Sequence, residues 1–76
     1  MNEDVLKGKW NQLRGEVRNW WAKLTDDDIQ RIEGSSIKLA GILQERYGYT
    51  WQAAQAQVAD FLEEMEEKFE LNSQRR

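Results

Sequence analysis

Cysteine, histidine and proline are all absent from this chain of 76 residues. Without cysteine there is no disulfide to staple a small fold and no thiolate to act as nucleophile or metal ligand. Without histidine the usual general base near neutral pH is missing as well. Catalysis would fall to carboxylates, lysine and tyrosine, whose pKa values shift usefully only in an interior deeper than so short a chain provides. No apolar run approaches the roughly 18 residues that cross a bilayer, and no secretory apolar segment is visible. These absences predict a non-enzymatic protein in a reducing, cytoplasmic setting, with no cofactor, no metal and no membrane association.

What is present is aromatic area and charge. Four Trp, two Tyr and two Phe stand in a chain only 39% hydrophobic. A domain of this size buries only about 60% of the surface its unfolded chain exposes, so large rings must supply much of the core. Charge is dense and uneven. Through Leu24, five basic residues (Lys7, Lys9, Arg14, Arg18, Lys23) face three acidic ones, whereas from Thr50 onward six acidic residues face Lys68, Arg75 and Arg76. The whole carries a net charge of −3.

The two halves of the chain resemble each other. At an offset of 26 residues, Gly8, Leu13, Gly15, Val17 and Trp21 fall on Gly34, Leu39, Gly41, Leu43 and Tyr47, and each half then reaches a Thr placed as a helix cap, Thr25 and Thr50. The repeated unit is a helix, a tight corner and a second helix. The recurring residues serve packing and punctuation, and no nucleophile, base or ligand set recurs.

Apolar residues return every three or four positions nearly throughout, which predicts an all-helical chain. Leu6, Trp10, Leu13, Val17, Trp20 or Trp21, and Leu24 form one stripe, on a long helix from about Glu3 to Lys23. Thr25 with Asp28 makes a capping-box pair, Leu24 and Ile29 a hydrophobic staple, and a short second helix runs to a left-handed stop at Gly34. Ser35 or Ser36 caps a third helix ending at Gly48. Thr50 opens a fourth, with Trp51, Ala54, Val58, Phe61, Leu62, Met65 and Phe69 on one face. One domain is expected over residues 1–71, followed by a frayed polar tail over 72–76. Gly8, Gly15 and Gly41 lie inside helices, where each costs up to about 1 kcal/mol relative to Ala. Gly8 and Gly15 share a face, which predicts close approach of another helix there, with a notch for a ligand as the less common alternative.

The ordered blocks Leu6-Lys7-Gly8-Lys9-Trp10, Leu13-x-Gly15, Trp21-x-x-Leu24-Thr25-Asp26-Asp27-Asp28, Ile32-Glu33-Gly34, Leu39-x-Gly41 and Gln44-Glu45-Arg46-Tyr47-Gly48-Tyr49 resemble the CsbD-like family of small bacterial proteins. The resemblance implies a bundle of four helices in two hairpins packed crosswise, similar to SAM-domain-like folds, and an association with general stress responses. It brings no catalytic residues. The chain departs from the family pattern at Ser35-Ser36 and Ile42, where basic residues are common, and at Trp20, Ile37 and Trp51, where polar residues are common.

Four constellations could carry function. Asp26, Asp27 and Asp28 could form an acidic cluster for acid/base or metal chemistry, but their place at a helix start is accounted for by capping and the helix dipole. Glu63, Glu66, Glu67 and Glu70 share a side of the last helix without the converging rigid loop a cation needs, and the Glu64 to Lys68 spacing suits a solvated ion pair. Lys7, Lys9, Arg14, Arg18 and Lys23, beside Trp10, Trp20 and Trp21, could contact phosphates and stack on bases, a nucleic-acid reading opposed by the acidic net charge. Trp20, Ile37 and Trp51 are the remaining set. Neighbouring positions on a helix point about 100° apart, so Trp20 and Trp21 cannot both enter one core. Trp21 follows Val17 by four, which leaves Trp20 exposed, with Ile37 or Trp51, as a surface for self-association or an unidentified protein partner.

Overall fold

The computed structural model describes residues 3–69, with side chains from Leu6 to Phe69. Helices α1 (Glu3–Gly8), α2 (Trp10–Trp20), α3 (Asp26–Ile32), α4 (Ser36–Tyr47) and α5 (Trp51–Phe69) account for most of them, with no strand among the described residues. The expected all-helical class is therefore observed. The expected count of four helices is not, because the predicted first helix is two. Lys9, at φ −117° and ψ 22°, leaves the helical region, and its carbonyl accepts from the amides of Gln12 and Leu13, both at 2.9 Å, to begin α2. The break follows Gly8, where helix propensity is lowest. It lets α1 pack on α4 as well as on α2.

The second end of that predicted helix also moves. α2 stops at Trp20, short of Lys23, and Trp21 is extended at φ −125° and ψ 91°. Leaving the helix is what turns the Trp21 ring inward. It is 2% exposed and its Nε1 donates to Gln57 Oε1 at 3.3 Å, whereas Trp20 is 38% exposed.

Capping follows the sequence closely. Thr25 Oγ1 accepts from the Asp28 amide at 3.1 Å while Asp28 Oδ2 accepts from the Thr25 amide at 3.0 Å. Ser35, rather than Ser36, caps α4 through the Lys38 amide, and Thr50 caps α5 through the Ala53 amide. The two Thr of the repeat thus perform the same task. α3 ends on two left-handed residues, Glu33 at φ 49° and Gly34 at φ 81°, and α4 on Gly48 at φ 74°.

The close approach predicted for Gly8 and Gly15 belongs elsewhere. A Cβ at Gly8, Gly15 or Gly41 would meet nothing within 4 Å, whereas one at Gly34 would stand 2.9 Å from the Lys7 Cα. Gly34 is where the backbone of α1 crosses the α3–α4 corner.

One core joins all five helices. Leu6, Leu13, Val17, Leu24, Ile32, Leu39, Leu43 and Phe61 are its most deeply buried members, and Trp10, Tyr47, Tyr49 and Phe69 pack against it while remaining half-buried. Trp10 is therefore a flank of the core, not a centre of it. α4 and α5, joined through 48–50, form the most extensive helix pairing. The tail expected over 72–76 lies outside the described residues.

Candidate functional site

The α4–α5 pairing leaves a groove. α4 contributes Ser36, Ile37 and Ala40 to it, and α5 contributes Trp51, Gln55, Val58 and Ala59. Its volume is about 270 Å³. Two small residues explain the space, because Ala40 and Ala59 stand where larger side chains would fill the seam between the helices. Ala40 and Val58 are buried in its floor. Ile37 and Trp51 sit in the first turns of α4 and α5, just beyond the caps at Ser35 and Thr50, and stand out of the surface at 62% and 40% exposure. No charged side chain lines the groove, in a chain that is one-third charged.

Of the three residues predicted to form an apolar surface, the structure unites two. Trp20 does not line the groove. Its ring lies edge-on to Phe61 at 5.3 Å between centroids and 6.0 Å from the Trp21 ring. Phe61 is ten residues beyond Trp51 on α5, about 15 Å along the axis. Trp20 is thus a partly exposed lid on the aromatic end of the core.

The five basic residues of the N-terminal segment stand in three local settings. Lys7 and Lys9 share a hollow at the α1–α2 corner with Trp10, Asn11, Gln12 and Glu33. Arg14 and Arg18 line another with Asp26, and Arg18 is ion-paired to Asp26. Lys23 turns its ammonium over the Tyr47 ring, 5.0 Å from the centroid, and its amide donates to the Tyr47 hydroxyl at 3.2 Å. Each hollow also holds a carboxylate, which reduces its attraction for phosphate.

The acidic triplet divides by burial. Asp26 and Asp27 are exposed, while Asp28 is fully buried and holds more than the cap. Arg46 from α4 donates to both its oxygens, and Arg31 donates to Oδ1 at 2.9 Å. The Arg46 hydrogen bonds hold the Asp28 carboxyl far below the usual carboxylate range, against the opposing effect of burial. Sequence reasoning found the Asp28 cap and missed Arg46. The signal was the pairing of a buried N3 carboxylate with a cation in the last turn of a neighbouring helix, which spacing along one helix does not reveal.

A further hollow between α3 and α4 is lined by Arg31, Glu33, Lys38, Gly41, Ile42 and Glu45. Its charges balance, and Arg31 is already engaged by Asp28 and Glu45. Ile42 is 4% exposed and so belongs to the core. On α5, Lys68 bridges to Glu16 of α2 at 3.1 Å, where the sequence suggested Glu64 as its partner. Among the described residues no three His, Cys, Asp or Glu side chains are grouped to hold a metal ion, and no helix is long and apolar enough to cross a membrane. Glu70 of the predicted glutamate face lies outside the described residues.

Known proteins resemble this chain over most of its length. A UPF0337 protein of Pseudomonas aeruginosa is 51% identical over 61 residues, covering 80% of this chain and 94% of its own. A UPF0337 protein of Bordetella pertussis is 48% identical over 63 residues, covering 83% and 96%, and the UPF0337 protein YjbJ of Escherichia coli is 48% identical over 61 residues, covering 80% and 88%. None of these names states an activity. The CsbD-like family model matches residues 4–56, which include the α3–α4 corner at Gly34, the buried Asp28 to Arg46 pair and the groove residues other than Val58 and Ala59. On these matches the chain belongs to the CsbD-like family.

Proposed function

We propose that this chain, a bundle of two crosswise hairpins of the SAM-domain-like kind, is a non-enzymatic stress-associated protein that acts by binding a protein partner at the α4–α5 groove. The single observation that carries the reading is the uncharged groove flanked by exposed Ile37 and Trp51. A contiguous apolar surface on a chain otherwise dense in charge marks a contact site. The stress association rests on the CsbD-like resemblance. Affinity capture from stressed bacterial cells tests the reading. Wild-type chain should retain a protein that Ile37→Gln and Trp51→Gln lose, and that a triple Lys7→Gln, Lys9→Gln, Arg14→Gln variant keeps.

Nucleic-acid binding is the second reading, and one observation favours it: Lys7 and Lys9 flank half-buried Trp10 in a single hollow. Phosphate-driven binding must weaken steeply as salt rises. A titration with duplex and single-stranded oligonucleotides at low and physiological salt separates the two readings.

A further inference from the structure

We infer that α1 is a strap that regulates the α4–α5 groove. Docked across the α3–α4 corner, it holds the first turn of α4, and with it Ile37, in place; lifted on a hinge at Gly8 and Lys9, it lets that wall of the groove loosen. This adds regulation to the interaction reading and rests on it.

The corner has little of its own to hold it. Glu33 stands at φ 49°, a left-handed conformation that a residue with a Cβ rarely adopts, and Gly34 follows at φ 81°. Such conformations persist where the surrounding structure enforces them. The Glu33 amide reaches the Ile29 carbonyl only at 3.4 Å, the long end of hydrogen bonding. What packs on this pair is α1. A Cβ at Gly34 would stand 2.9 Å from the Lys7 Cα and 3.6 Å from the Leu6 carbonyl oxygen, and Glu33 shares a hollow with Lys7 and Lys9.

α1 can leave as a unit. Among its residues with described side chains, Leu6 is fully buried while Lys7 and Gly8 are exposed, so a single apolar anchor seats this part of the helix. α2 does not need it in order to start, because the Lys9 carbonyl accepts from the amides of Gln12 and Leu13. Lys9 stands alone between the two helices, outside the helical region, with Gly8 before it. A few residues of this kind are enough to absorb a hinge motion.

The corner passes its geometry directly to the groove. Ser35 follows Gly34; its amide donates to the Ile32 carbonyl at 2.8 Å, its Oγ accepts from the Lys38 amide at 3.2 Å and its carbonyl from the Leu39 amide at 2.9 Å. These bonds set the direction in which α4 leaves the corner. Ser36, Ile37 and Ala40, which α4 brings to the groove, stand in the turns that follow. The opposite wall begins at Trp51, behind its own cap at Thr50. A corner that relaxes therefore moves Ile37 relative to Trp51.

The test is native-state hydrogen exchange of the full chain, read amide by amide at several low urea concentrations. Lys7 and Gly8 report the strap and Lys38 and Leu39 the first turn of α4. Ala53 and Ala54, bonded to Thr50 in the same way, are the control. In the wild-type chain Lys38 and Leu39 should open together with Lys7 and Gly8, independently of urea and well before the core amides of Val17 and Val58. Leu6→Ala should speed all four at least about tenfold and leave Ala53 and Ala54 unchanged. Leu6→Val, which shortens the anchor by less, should do the same to a smaller degree and carries the test should Leu6→Ala unfold in a circular dichroism melt. Exchange of Lys38 and Leu39 only through global unfolding, or no faster in either folded variant than in wild type, would overturn the proposal. No partner enters this experiment, so that failure leaves the groove reading standing. In capture from stressed cells, folded Leu6→Val should retain several-fold less of the protein that wild-type chain holds through Ile37. Equal retention would overturn the regulation, whereas a wild-type chain that captures nothing ends the groove reading itself.

Discussion

Arg46 grips Asp28 with two hydrogen bonds, Nε to Oδ2 at 2.7 Å and Nη2 to Oδ1 at 2.8 Å, and so ties the last turn of α4 to the first turn of α3. Asp28 is fully buried and also completes the Thr25 cap, so one carboxylate serves the start of a helix and the docking of its neighbour. Removing Arg46 leaves that anion buried with Arg31 and the Thr25 amide alone. Because Arg46 is itself 40% exposed and Arg31 remains, Arg46→Ala should cost about 2 kcal/mol in a denaturant melt, less than a fully buried pair. Arg46→Lys should recover little of it, since an ammonium cannot span both oxygens.

The same carboxylate sets the acid limb of stability. Its folded pKa lies well below the unfolded value of about 3.9, so between the two the native state binds fewer protons than the unfolded state. The stability from Asp28 is then full above pH of about 5 and drains as pH falls through the unfolded pKa toward the folded one. Thermal melts from neutral to acid pH should show a steeper loss below about pH 4 in the wild-type chain than in Asp28→Asn, which starts lower and has less to lose.

Substitutions at two glycines should move stability in opposite directions. Gly34 has φ 81°, and its Cβ would meet the Lys7 backbone at 2.9 Å, so Gly34→Ala is both strained and obstructed and should lose about 2 kcal/mol or more. Gly15 lies inside α2 with nothing near its missing Cβ, so Gly15→Ala should gain up to about 1 kcal/mol. Melting temperatures of the two variants check both signs.

Adjacent tryptophans should likewise separate. Trp21 is buried, hydrogen-bonded to Gln57 and 5.1 Å from the Phe61 ring, so Trp21→Ala should cost about 3 to 5 kcal/mol. Trp20 makes an edge contact with Phe61 from the surface, and Trp20→Ala should cost about 1 kcal/mol. Trp10, half-buried, should fall between them. Urea titrations give the three values.

The elements most legible from sequence were those fixed by local chemistry. Thr25, Thr50 and the Ser35-Ser36 pair announce helix starts through side-chain oxygens that reach only two or three residues ahead, the structure choosing Ser35 of the pair, and left-handed stops at Gly34 and Gly48 are equally local. The division of α1 from α2 was not legible, because the stripe from Leu6 through Trp10 to Leu13 keeps helical spacing across the break at Lys9. Gly34 looked like a helix stop and is also the crossing point of α1, a fact that depends on residues 27 positions earlier in the chain. The exposure of Trp20 followed from helical spacing. That of Ile37 and Trp51 followed only from departures from the family resemblance, since spacing alone put Trp51 on the apolar face of α5. Which of them share a surface depended on how α4 and α5 pair. The Asp28 to Arg46 pair was hidden for the same reason: its partners stand 18 residues apart on different helices.

The central claim, that this chain acts through the uncharged α4–α5 groove and not through its N-terminal cations, is tested most directly by backbone amide chemical shifts. Spectra of the labelled chain would be recorded as extract of stressed bacterial cells is added, and again as a duplex oligonucleotide is added at low salt. The account predicts shifts with the extract confined to residues around Ile37, Ala40, Trp51, Gln55 and Ala59, and none of comparable size with the duplex. Shifts at Lys7, Lys9, Trp10 and Arg14 on addition of the duplex, with the groove residues unmoved in both series, would contradict it.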